Sequence, residues 1–60
     1  MRLETLRIAA GWSRQFVADR LGVSRQAVWL WETGRQVPAA DKAVALAKLF
    51  CVTAEYLMEV

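Results

Sequence analysis

The sequence predicts an all-α fold, a compact bundle of five short helices forming one domain over residues 1–60. Three observations predict it. Gly11, Gly22 and Gly34 each follow a helical apolar pattern, at places where a residue without a Cβ lets the chain leave a helix through a left-handed conformation. A start signature recurs: a hydrophobe, then Ser or Thr, then a second hydrophobe four residues after the hydroxyl. It stands as Trp12-Ser13 with Val17, Val23-Ser24 with Val28, and Val52-Thr53 with Leu57. Finally, no segment alternates at period two for long enough to be a strand.

The elements follow in order. The first helix runs from about Arg2 to Ala10 and is ended by Gly11. The second, Arg14 to Leu21, starts at Ser13, whose hydroxyl can accept from a free N–H of the first turn while Trp12 and Val17 fix the approach of the chain. Gly22 ends it. The third, Arg25 to Thr33, starts in the same way at Ser24 and stops before Gly34. Pro38 forbids a continuous helix from there, because it lacks a donor and restrains Val37 to extended geometry. The fourth helix covers Ala40 to Phe50, and the fifth, Ala54 to Glu59, starts at Thr53.

Only Gly22, Val23 and Ser24 separate the second helix from the third, so the two axes cross steeply. That is helix-turn-helix geometry. Ala18 on the inner face of the second helix lets the third approach, and Leu21, Val23, Val28 and Trp31 can close a core beneath the turn.

Composition narrows the function. Sixty residues make a domain that is marginal by itself, and 57% hydrophobic residues are more than so small an interior can hold, so some apolar side chains must face outward. The longest uncharged run, Ala43 to Ala47, cannot cross a bilayer, and no basic stretch leads into an apolar signal core, so neither a membrane nor export is expected. With no histidine and the single cysteine Cys51, a zinc site, an internal disulfide and a Cys/His nucleophile are excluded, and no metal is expected. Cys51 reads as a small apolar residue in a reducing compartment. No glycine-rich phosphate loop or paired carboxylate is present either, so no enzyme and no cofactor is expected. The net charge of +2 is mildly basic, but its distribution is informative. Arg14, Arg25 and Arg35 fall in the middle third, while Asp41, Glu55 and Glu59 gather in the last third beside Lys42 and Lys48.

The run Ser13-Arg14-Gln15-Phe16-Val17-Ala18-Asp19-Arg20-Leu21-Gly22-Val23-Ser24-Arg25-Gln26-Ala27-Val28 resembles the Cro/C1-type (XRE) helix-turn-helix family, the lambda repressor-like DNA-binding domains. Trp31-Glu32-Thr33-Gly34-Arg35, Pro38, Leu46-Ala47, Val52-Thr53 and Tyr56-Leu57 are similar to the rest of that domain, so the resemblance covers nearly the whole chain. It implies a cytoplasmic bacterial or phage transcriptional regulator, a repressor or a Cro-like controller, that inserts its third helix into the major groove of double-stranded DNA.

The resemblance also implies roles for residues. Arg14, Arg35 and Gln36 would hold phosphates, Arg14 with help from the positive end of the second helix. Stepping round the third helix from a buried Val28 at about 100° per residue places Trp31, Glu32 and Ser24 near the core and turns Gln26, Trp29, Leu30 and Thr33 outward. Gln26 is the expected principal base reader, since its amide can accept from N6 and donate to N7 of adenine. Arg25 could read guanine or grip phosphate. Arg7 and Glu32 match positions at which the family pairs two charges to fix the reading helix. The fifth helix carries Tyr56, Leu57, Met58 and Val60, more apolar residues than one buried stripe needs, so a homodimer is expected through Tyr56, Met58 and Val60.

Three positions depart from the family. Trp29 and Leu30 stand where polar side chains are usual, Arg14 where glutamine is frequent, and Cys51 where glycine commonly follows the fourth helix. The first departure leaves a second reading open: a protein-interaction or oligomerisation module that docks a protein partner, or a second copy, through the apolar Trp29-Leu30 surface.

Overall fold

The computed structural model describes Met1–Glu59, and those residues form five helices: α1 (Leu3–Ala10), α2 (Arg14–Leu21), α3 (Arg25–Glu32), α4 (Ala40–Leu49) and α5 (Ala54–Met58). The three hydroxyls expected to start helices do so. Ser13 Oγ accepts from the Phe16 N–H at 3.0 Å, Ser24 Oγ from Ala27 at 3.1 Å and Thr53 Oγ1 from Tyr56 at 3.0 Å. Their apolar partners Val17, Val28 and Leu57 are fully buried, and Trp12, Val23 and Val52 at the preceding positions are half-buried against the core. Each cap contributes about 1 kcal/mol, and the apolar pair aims the helix at the core. Gly11 and Gly22 close α1 and α2 in the left-handed conformation, as the pattern requires.

The core joins Leu3 of α1, Val17 and Ala18 of α2, Val28 and Trp31 of α3, Leu46 and Ala47 of α4 and Leu57 of α5. Ala18 has no exposed surface, and α2 packs closely on α3 across it. The two ends of the chain are tied. The Arg2 N–H donates to the Leu57 carbonyl at 2.8 Å, Arg2 Nη2 reaches Glu59 Oε1 at 2.8 Å, and the guanidinium lies 4.4 Å from the centre of the Tyr56 ring.

Four helix ends fall one residue short of expectation. Arg2, Thr33 and Phe50 cap their helices with ψ near zero, outside the regular helical range, and Glu59 is extended. Ser24 is exposed and not turned to the core, because its side chain is engaged at the start of α3. Leu30 is half-buried and not free: past Gly34 the chain folds back, and the N–H groups of Arg35 and Gln36 both donate to the Leu30 carbonyl, at 3.0 and 3.2 Å.

Cys51 is exposed and takes φ 58°, a conformation that among the other described residues only glycines adopt. The turn demands it, since the Val52 N–H must return to the Ala47 carbonyl at 2.9 Å to close the end of α4. A side chain there costs about 1 to 2 kcal/mol, partly offset because glycine gives the unfolded chain more freedom. Cys51→Gly is therefore expected to stabilise by about 0.5 to 1 kcal/mol and to raise the thermal midpoint by a few degrees, roughly 4 to 8 °C per kcal/mol. An unchanged or lower midpoint in circular dichroism would show that the left-handed turn stores no strain.

Candidate nucleic-acid interface

The N-terminal ends of α2 and α3 share one face. Between them lies an open cleft of about 810 Å³, lined by Arg7, Ser13, Arg14, Gln15, Arg25, Gln26 and Trp29. Arg25 and Gln26 are exposed in the first turn of α3. Trp29 follows one turn later and keeps 37% of its surface exposed. The Arg35 guanidinium sits 5.0 Å from the Trp29 ring centre, a cation–π contact that brings the cation after α3 back beside the cleft. Gln36, next in the chain, is exposed.

Behind the cleft one carboxylate gathers two arginines. Arg7 Nε donates to Glu32 Oε2 at 2.6 Å and Arg7 Nη2 to Glu32 Oε1 at 3.3 Å, a bidentate pair joining α1 to α3. Arg7 Nη1 also donates to the Trp12 carbonyl at 2.9 Å. Arg14, at the first position of α2, places its Nε 2.7 Å from the same Glu32 Oε1. The Glu32 side chain is 1% exposed, Arg7 11% and Arg14 35%. Burial strengthens such charge-assisted bonds, and among the described residues no buried side-chain nitrogen or oxygen lacks a partner. The cluster thus sets the start of α2 against α3.

Residues 1–59 match the family described as helix-turn-helix domain. The chain is also 35% identical over 57 residues to the HTH-type transcriptional regulator AnsR of Bacillus subtilis, an alignment that covers 95% of this chain and 49% of that protein. The chain belongs to the helix-turn-helix domain family. It spans about half the length of the curated relative it matches. No solved structure gives a significant match.

Within this helix-turn-helix domain, α2 and α3 are the helices that flank the turn, and the cleft opens between their starts. It brings together Arg7, Arg14, Arg25, Gln26 and Trp29 of the residues named from sequence, with Arg35 beside them through Trp29. Leu30 does not line it. Tyr56 and Met58 are exposed, at 44% and 36%, while Val60 lies outside the described residues. Tyr56 is also the ring beneath Arg2, so one of its faces is already occupied. Three participants were missed from sequence. Ser13 and Gln15 line the cleft, and their signal was position, since they flank Arg14 at the start of α2. Glu4, whose Oε2 is 3.5 Å from Arg14 Nη2, left no local signal because it comes from α1. Among the described residues no helix is long and apolar enough to cross a membrane.

Proposed function

We propose that the chain binds double-stranded DNA in a sequence-specific manner as part of a transcriptional regulator, with α3 in the major groove. The supporting observation is the exposure of Arg25 and Gln26 on the first turn of α3, beside a cleft that Arg14 shares. Residues at the start of the second helix of such a motif reach base edges, and cations on either side grip phosphates. Arg14 and Arg35 supply those cations and Gln36 adds an amide. Trp29 fits this reading better than docking to a protein, because its exposed ring stands among arginines and an amide and carries Arg35 on its face. The resemblance to repressors and Cro-like proteins makes repression the expected mode. A two-fold dimer through the exposed Tyr56 and Met58 would set two α3 helices about one turn of DNA apart, roughly 34 Å.

Selection of bound duplexes from a random pool tests both parts. The expected result is a palindromic consensus with half-sites one turn apart, bound with an affinity that falls steeply as salt rises. No enrichment, or retention indifferent to salt, would overturn DNA binding. A single unrepeated half-site would overturn the dimer.

A further inference from the structure

Glu32 carries one negative charge and accepts from two guanidinium groups, so Arg7, Arg14 and Glu32 together bear a net positive charge. The two arginines are not equivalent. Arg7 directs Nε, Nη1 and Nη2 at Glu32 and the Trp12 carbonyl and is 11% exposed, so most of its donors are already used. Arg14 is anchored on Glu32 through Nε, 2.7 Å from the buried carboxylate, stays 35% exposed and lines the cleft. The other carboxylate near this guanidinium is Glu4 of α1. Its Oε2 stands 3.5 Å from Arg14 Nη2, and its side chain is 53% exposed. The inner contact is short and buried, whereas the outer one is long and wet.

We propose that Glu4 competes internally for the phosphate that Arg14 receives: its carboxylate occupies the outer edge of the guanidinium when no duplex is present, and a backbone phosphate displaces it on binding. The proposal rests on the DNA-binding reading above. Glu32 holds the guanidinium in place, so the exchange needs no rearrangement of the helix. An exposed pair of this kind is weak and screened by salt, so phosphate can replace it at little cost. Because phosphate contacts carry no base information, the competition lowers affinity for every sequence alike.

The test compares the parent chain, E4Q, R14A and E4Q/R14A on a labelled duplex of random sequence, with E55Q as the same change of charge on α5, which contributes nothing to the cleft. E4Q is expected to bind about two- to fivefold more tightly at low salt, with the gain shrinking as salt rises and absent in the R14A background and from E55Q. No gain, an equal gain from E55Q, or a gain that survives in R14A would overturn the proposal. A second arm follows the Arg14 Nε–H resonance by NMR during titration with inorganic phosphate. In E4Q it should move at lower phosphate than in the parent; identical titrations would overturn the competition. If the parent binds no duplex but phosphate still moves Arg14 sooner in E4Q, the DNA-binding reading fails and the competition stands. If duplex binds and both arms are indifferent to Glu4, only the competition fails.

Discussion

Glu32→Gln is expected to abolish most of the folded population at room temperature. The substitution keeps the size of the side chain and removes the charge on which two guanidinium groups converge. One of the carboxylate oxygens becomes an NH₂ group facing arginine donors, and Arg7, 11% exposed, is left without its counter-charge. Breaking a buried ion pair in this way costs about 3 to 5 kcal/mol. A domain of sixty residues rarely has more than about that in total. Circular dichroism should therefore show a large loss of helix or a thermal midpoint lowered by well over about 10 °C. Replacing the pair with apolar residues, Arg7→Met together with Glu32→Leu, should recover much of the loss, because the cost comes from the stranded charge. A Glu32→Gln midpoint within a few degrees of the parent would show that water already solvates these arginines and that the cluster does not hold α1 to α3.

The same carboxylate links stability to the interface. Arg7 comes from α1, Arg14 from α2 and Glu32 from α3, so the cluster fixes where the start of α2 lies relative to Gln26. Part of this was legible in the sequence. Helix starts were legible because a cap and its apolar pair span only a few residues and carry their own signature. Ala18 and Gly22 announced a close crossing of α2 and α3, and the helical period sorted Trp31 and Glu32 from Gln26 and Trp29. The pairing of Arg7 with Glu32 came from the family resemblance alone.

What the sequence did not show depends on how far apart the helices end up. A three-residue turn says that two helices cross steeply, but the distance from Arg14 to Glu32 depends on the crossing itself, which the core residues of all five helices set together. The sharing of Glu32 and the reach of Glu4 were invisible for that reason. Leu30 is half-buried on α3, and a helical wheel, which treats its helix as alone, does not show the chain after Gly34 returning to the Leu30 carbonyl. Tyr56 is exposed, as its surplus in the fifth helix suggested, yet Arg2 lies over it from the other end of the chain, a contact no local pattern encodes.

Gln26→Ala is expected to weaken binding to the selected duplex by about 1 to 3 kcal/mol, roughly five- to 150-fold, while affinity for random duplex stays the same. Gln26 is the second residue of α3, exposed beside the cleft, where an amide can pair with both N6 and N7 of an adenine. Its neighbours differ in what they can offer. Arg25 is a cation that attracts any phosphate, and the Gln15 amide nitrogen already donates to Asp19 Oδ1 at 2.7 Å. The loss should accordingly be confined to one base pair in each half-site. Duplexes in which that pair is changed should bind the variant and the parent alike, because the parent then also lacks its partner. Competition binding on the consensus and on the three substituted duplexes checks this. An equal loss on all four would assign Gln26 to the phosphate backbone, and no loss on any would remove the first turn of α3 from the groove. That last outcome is what docking of the Trp29 surface to a protein would produce. The base-pair dependence of this one substitution therefore separates a reading helix from an interaction surface built on the same fold.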